Sequence, residues 1–285
     1  MNPKVKVILS SISPKLTTYL MYFKNFKKFP NMKNPGDFNE KLQYLKLNTY
    51  YENPVITQCV DKYRVRAYLE KKGFSDILPG LIAGGMTDAN EIAELWDTLP
   101  ESFVIKCNHG CGYNILVNDK SKTDVNEVVK QLDAWMKEDY WKYYCEPQYK
   151  DVEKCMLIEQ YLADDIKTYK FYCFNGEPRV LYVSENGPNG EKDLYLDYFD
   201  MEWNHLDITL DGHQHNKRTI ECPESLDRMK NMARKLSADF PFVRVDLYDV
   251  DGKVYFSELT FIPTGGNMKL TPNRYIDEWG KLLKL

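Results

Sequence analysis

The sequence predicts an α+β protein. Strand-forming runs come in hairpin-like pairs, helix-periodic segments stand apart from them, and the last strand pair alternates charged with aliphatic residues. Residues 38 to 73 are rich in helix formers, with Phe38, Leu42, Leu45 and Leu47 as an imperfect stripe and Gly73 as a stop, so they are expected to form one helical layer. Phe103-Val104-Ile105-Lys106 leads through Cys107-Asn108-His109-Gly110-Cys111-Gly112-Tyr113-Asn114 into Ile115-Leu116-Val117, which reads strand, tight loop, strand. Asp124 and Glu127 form a capping pair ahead of Val125, Val128, Val129, Leu132, Trp135 and Met136 at helical spacing. A second β group runs from Met156 to Leu162 and from Lys170 to Val183, with Asn175-Gly176 as its hairpin turn. Leu226, Met229, Met232, Ala233 and Leu236 predict a helix before the final pair.

At 285 residues, 43% apolar and 28% charged, the chain suits one domain with two or three subdomains and gives no compositional case for disorder. A net charge of −4 lends no support to binding nucleic acid, so none is expected as a partner. Seven cysteines without a spaced framework read as reduced thiols of a cytoplasmic protein. Cys107 and Cys111 approach zinc spacing but lack a second ligand pair.

The first 36 residues hold seven lysines and no acid, around Val5, Val7, Ile8, Leu9, Ile12, Leu16, Leu20, Met21 and Phe23, with Pro14 interrupting the pattern. No apolar run approaches the ~20 residues a membrane span needs, and no signal-peptide core precedes a cleavage site. A helical segment docked on the body of the protein is expected. Peripheral contact with the inner face of a membrane is the alternative.

The chemistry concentrates in Val243-Arg244-Val245-Asp246-Leu247-Tyr248, where alternation puts Arg244 and Asp246 on one face and the aliphatic residues on the other. Asp249-Val250-Asp251-Gly252 turns the chain back, and the returning run to Thr260 places Glu258 and Thr260 on one face. Carboxylates suit Mg²⁺, a hard cation that takes oxygen ligands together with nucleotide phosphates. An arginine beside them suits charge growing on an acyl phosphate. Taken alone, the pattern fits a charged surface hairpin equally well. Lys106 and the loop glycines Gly110 and Gly112 add a cation and backbone amides suited to phosphate. His109 fits a phosphate contact or a loop-packing role alike. The aromatics Trp135, Tyr140, Trp141, Tyr143 and Tyr144 suit either core contacts or a sugar platform.

With these pieces in order, the chain resembles the ATP-grasp superfamily, and more closely its teichuronopeptide-biosynthesis (TupA-like) branch. The likeness runs through Lys33 to Leu42, Asp61 to Arg66, Phe103 to Asn114, Glu159 to Leu162, Tyr169 to Pro178, and Phe240 to Pro263. It implies two α+β subdomains sandwiching ATP behind an N-terminal helical region: residues 1–59 helical, 60–157 a lid with the phosphate loop, and 158–285 a core with the metal hairpin. It implies ATP and Mg²⁺ as cofactors, with Lys62, Lys106, His109, Gly110, Gly112 and Asn114 toward the phosphates. Glu159, Gln160, Tyr161 and Leu162 match the nucleotide linker. Arg244 matches the oxyanion arginine and Lys170 a lower-ranking phosphate or substrate contact. Asp246, Glu258 and Thr260 match the metal positions, though Thr260 stands where the superfamily usually has asparagine. Two further departures are Cys111, where the branch has serine, and a loop Pro263-Thr264-Gly265-Gly266-Asn267 without the usual Pro-Gly step.

The implied activity is an ATP-dependent ligase joining a carboxylate, small-molecule or sugar-linked, to an amine through an acyl phosphate. The expected setting is capsular or cell-wall polysaccharide synthesis, with a uronic acid as the carboxylate. A sugar-nucleotide glycosyltransferase is the alternative, on the Asp-x-Asp of Asp249-Val250-Asp251, which turn formers also explain. A third reading is a binding module that keeps the fold without the reaction. His205, His213 and His215 lie in a polar stretch expected to be a surface loop.

Overall fold

The structure, a computed structural model, describes residues 2–187, 190–216 and 218–285. The chain divides into two compact units, one of residues 1–51 with 163–285 and one of residues 52–162.

The first unit opens with helices α1 (Pro3–Ile12), α2 (Pro14–Phe26) and α3 (Phe38–Leu47). Pro14 breaks the N-terminal pattern by starting a new helix, since its missing N–H is one that a first turn does not need. Ser13 caps that turn, accepting from the Leu16 amide at 3.1 Å. Asp37 caps α3 in the same way, accepting from Glu40 at 2.8 Å.

The second unit contains α4 (Pro54–Val60), α5 (Val65–Lys71), β1 (Leu81–Met86), α6 (Asn90–Leu95), β2 (Phe103–Cys107), β3 (Asn114–Val117), α7 (Val125–Lys137), α8 (Tyr140–Tyr144) and β4 (Met156–Gln160). Its antiparallel sheet has the order β1-β4-β2-β3. Alternation along β2 and β4 buries Phe103, Ile105, Cys107, Met156 and Ile158 with Ile92 of α6 and Val128 and Leu132 of α7. Asp124 does cap α7, through the Asn126 amide at 2.9 Å, while Glu127 pairs with Lys130 instead of reaching back. Strand β1 escaped the sequence reading because Gly84-Gly85 reads as a loop. The ring of Tyr63 lies so close to Gly84 that a Cβ there would stand 2.5 Å from it.

The first unit resumes with β5 (Thr168–Phe174), β6 (Glu177–Gly187), β7 (Gly190–Phe199), β8 (His205–Leu206), β9 (Thr209–Leu210), α9 (Leu226–Ser237), β10 (Phe242–Val250), β11 (Lys253–Thr260), β12 (Leu270–Thr271) and α10 (Arg274–Leu282). Its main sheet has the order β11-β10-β5-β6-β7-β8, all antiparallel. Helix α9 covers the face carrying Cys173, Val243 and Val245. The opposite face meets α3 and α10 through the rings of Phe38, Tyr172, Phe174, Phe242 and Trp279.

These units differ from the boundaries 1–59, 60–157 and 158–285 expected from the sequence. The helices of 38–73 do not form one layer, because α3 packs in the first unit while α4 and α5 pack in the second. The later boundary lies past Leu162 because β4, through Gln160, is still paired with β2.

Candidate active site

On β10 and β11 the charged side chains share a face for a specific reason of register. The pairing Leu247↔Phe256 is followed by Asp246↔Glu258, so Ser257 is a one-residue bulge. Val254 and Phe256 therefore point with Leu247 into the core, whereas Glu258 and Thr260 change parity to stand opposite Asp246 and Arg244. Strict alternation along Val254 to Thr260 would have put them on one face. On the other side of β10, Asp246 is paired with Lys170 of β5.

Asp246 is fully buried and holds two cations. Arg244 donates from Nε to its Oδ1 at 2.7 Å and from Nη2 to its Oδ2 at 2.6 Å, and Lys170 Nζ donates to Oδ2 at 2.7 Å. Arg244 Nη2 also reaches Glu258 Oε1 at 3.1 Å and Thr260 Oγ1 at 3.0 Å, and the Thr260 hydroxyl donates to Glu258 Oε1 at 3.1 Å. Burial works against the Lys170 ammonium, but the Asp246 carboxylate outweighs it and holds its pKa above the ordinary lysine value. Arg244 is likewise opposed by burial and raised by Asp246, and its guanidinium lies 5.8 Å from the centre of the Tyr182 ring. Both stay charged at any working pH. The two carboxylates and the hydroxyl are oxygen donors of the kind hard divalent cations take, and two fixed cations stand beside them.

Beside this cluster, α3 holds the loop that leaves β11. Gln43 Nε2 donates to the Gly266 carbonyl at 2.7 Å, buried Lys46 Nζ to Gly265 O at 3.1 Å, and Asn39 Nδ2 to Met268 O at 2.8 Å. Lys41 Nζ ties the same helix to the C-terminus through Gly280 O and Leu283 O. The polar motif from Asn39 to Lys46 thus fixes the backbone of residues 263 to 268.

In the second unit, Lys106 of β2 and Glu159 of β4 share the sheet face opposite the core. Lys106 Nζ donates to Glu159 Oε2 at 2.6 Å and Arg66 Nη1 to Oε1 at 3.0 Å. Arg66 was not singled out from the sequence, since its partner lies far along the chain and no local spacing betrays it. Lys106 is also paired across the sheet with Asn114, at the base of the glycine loop. Lys62 Nζ bonds the Gly110 carbonyl. Asp61 and Asn108, both buried, lock the loop: Asn108 Nδ2 donates to Asp61 Oδ2 at 2.8 Å, and its Oδ1 accepts from the Cys155 amide at 2.8 Å. The Gln160 amide donates to Gly80 O at 2.8 Å and is already engaged. Tyr161 and Leu162 follow the end of β4.

Two loop residues have structural explanations. A Cβ on Gly110 would come within 2.6 Å of the Tyr140 ring and 2.9 Å of Tyr113, so the side chain is excluded by aromatic packing. His109 is buried, with Nε2 3.0 Å from Trp135 O and its ring against Tyr113. Burial pulls its pKa down to about 4, keeping the imidazole neutral at pH 7. Gly112 has φ +77° with open space beside it. Burial likewise pushes the Cys107 thiol up to about 12, far from a thiolate metal ligand.

The Asp-x-Asp pattern is part of a turn: Asp249 Oδ1 accepts from the Gly252 amide at 2.8 Å, its Oδ2 takes Ser225 Oγ, and Asp251 and Gly252 adopt φ 53° and 80°. The histidine stretch does more than form a loop. Asp197, His205 and His215 place ligand atoms within 4.8 Å of one another.

Residues 40–284 match the TupA-like ATPgrasp family profile. Comparison with curated proteins finds no match. Among solved structures, the chain is similar to an L-amino acid ligase from Bacillus licheniformis, with a TM-score of 0.50 and 16% identity over 96% of this chain and 62% of that one. It is similar to a D-alanine–D-alanine ligase from Helicobacter pylori, with a TM-score of 0.45 and 16% identity over 87% and 67%. A D-alanine–D-alanine ligase from Bacillus anthracis complexed with ATP gives 0.44 and 19% over 73% and 56%. The chain thus spans little more than half the length of the Bacillus anthracis ligase, 56%.

Proposed function

The chain belongs to the TupA-like ATPgrasp family, and on that footing we propose that it is a cytoplasmic ATP-dependent ligase that joins a carboxylate to an amine through an acyl phosphate. The observation that carries this reading is the cluster on β10, β11 and β5, in which Arg244 and Lys170 converge on Asp246 while Glu258 and Thr260 face the same side.

In the proposed reaction a carboxylate oxygen of the substrate attacks the γ-phosphorus of ATP, forming a C–O–P linkage and releasing ADP. The amine then attacks the acyl carbon, the C–N bond forms, phosphate leaves and the amine gives up a proton. Arg244 serves as the positive charge for the oxyanion, positioned by its paired bonds to Asp246. Lys170 adds a second fixed cation on the same carboxylate. Asp246, Glu258 and Thr260, an all-oxygen set, fit Mg²⁺ and would hold it. When bound, the ion would neutralise charge on the phosphates. Lys62, Lys106 and the loop with Gly110, Gly112 and Asn114 would meet the nucleotide phosphates. Glu159, Gln160, Tyr161 and Leu162 would meet the base and ribose. His109, neutral and bonded to a backbone carbonyl, would support that loop.

The proposed substrates are a uronic acid of a capsular or cell-wall polysaccharide precursor and an amino acid or small amine, a choice that rests on family analogy. The cytoplasmic setting is supported by the seven cysteines, present as thiols, five of them buried. Hydroxylamine trapping tests the chemistry. A hydroxamate formed only with ATP and a uronic acid is expected, and its absence across a panel of carboxylates would count against an acyl phosphate.

A further inference from the structure

Helices α1 and α2 are built inside out. Their buried side chains are Ser10, Thr17 and Thr18, together with Tyr22, while large apolar residues face outward. Val5 is 47% exposed, Ile8 59%, Ile12 74%, Leu16 48%, Leu20 37% and Phe23 43%. A helix docked only on the body of a protein buries its apolar stripe and leaves its small polar residues in water. Here the order is reversed. The exposed residues keep helical spacing, at i, i+3, i+7 on α1 and at i, i+4, i+7 on α2, so each helix presents one coherent stripe. Phe29, 58% exposed, stacks on Phe23 at 4.9 Å and prolongs the second.

Charge decides what covers these stripes. Residues 1 to 36 contain seven lysines and no acid, in a chain whose total charge is −4. Lys28 pairs with Asp37 at 3.2 Å, but Lys4, Lys15, Lys24, Lys27 and Lys33 also stand exposed along the two helices and the segment after them. An apolar stripe flanked by lysines matches an anionic lipid surface, with the side chains among acyl chains and the ammonium groups at the phosphates. A protein partner of ordinary mixed charge would not call for an acid-free segment. No described helix is long and apolar enough to cross a membrane, so contact would be along the surface.

We infer that α1 and α2 form a peripheral docking surface for a bilayer rich in anionic phospholipid. The claim is independent of the ligase reading, because its test contains no ATP. The full chain is sedimented with vesicles of phosphatidylglycerol and phosphatidylcholine, and with vesicles of phosphatidylcholine alone. Binding at least tenfold stronger to the anionic vesicles is expected, weakening as salt rises. The variant I8E/L16E/L20E, changed only at exposed positions, should lose vesicle binding and keep the wild-type circular dichroism. K4Q/K15Q/K24Q should weaken binding with the apolar stripe intact. Protein that stays in the supernatant at low salt, or I8E/L16E/L20E binding as well as wild type, overturns the inference. So does a stable dimer in sedimentation velocity that I8E/L16E/L20E dissolves while vesicles leave the wild type unbound, since a second copy would then cover the stripe.

Discussion

Asp246 is a carboxylate with no solvent exposure that takes three hydrogen bonds from two cations. Removing it would strand Arg244 and Lys170 with a buried positive charge, so Asp246→Ala should cost about 3–5 kcal/mol in chemical denaturation. Glu258 is a different case, its side chain being 29% exposed. Glu258→Gln should leave the denaturation midpoint near that of wild type while ADP release falls by about a hundredfold or more, an expected loss in line with that from removing an electrostatic group. Full turnover in that variant would refute its metal role. His109 gives a pH signature. Its folded pKa of about 4 lies below the ordinary 6.5, so the unfolded chain takes up the proton first as pH falls. Stability present above 6.5 is then lost toward 4, amounting to about 1 kcal/mol by about pH 5.5. His109→Gln should flatten that slope in paired melts at several pH values. An unchanged slope would show that the imidazole is not buried as neutral. That Arg244 shares a face with Asp246, and Glu258 with Thr260, was legible because strand alternation is local. Arg66 on Glu159 was not, because that contact is made only when β4 and α5 fold together.

Among the elements, the Ser257 bulge aligns the site. Without it Ser257 would face Asp246 and Glu258 would turn toward α9, so parity along β11 matters as much as the residues it carries. The sequence alternation put Glu258 and Thr260 on one face, but a bulge leaves no clear mark in a run such as Phe256-Ser257-Glu258. The glycine loop shows the reverse. Its strand–loop–strand outline was plain, but the Tyr140 ring that by itself already excludes a side chain at Gly110 lies too far along the chain to be read locally. Gly110→Ala should therefore destabilise the protein by about 1–3 kcal/mol even without nucleotide, as overpacking does. A neutral effect in denaturant melts would show that the aromatic rings yield to a side chain there. The hairpin turns were the most legible elements. Asn175-Gly176 and Asp251-Gly252 both take positive φ at two successive residues, which few other pairs tolerate.

At the scale of the molecule, the N-terminal helices and the C-terminal sheet form one unit although 111 residues of the other unit, 52–162, lie between them in sequence. A linear reading divides a chain at composition shifts and cannot see such a return. The two sets of candidate residues follow this division: Arg244, Asp246, Glu258, Thr260 and Lys170 belong to one unit, and Lys62, Lys106 and Glu159 to the other. The same linear limit applies to the outward stripe of α1 and α2, whose apolar periodicity was visible while its direction was not. The central claim is the ligase reaction, and the most direct measurement is ADP release from ATP and Mg²⁺ against paired panels of carboxylates and amines. Release that requires both a carboxylate and an amine, with an amide as product, is the expected result. ATP left untouched by every pair, together with transfer from a sugar nucleotide, would contradict it.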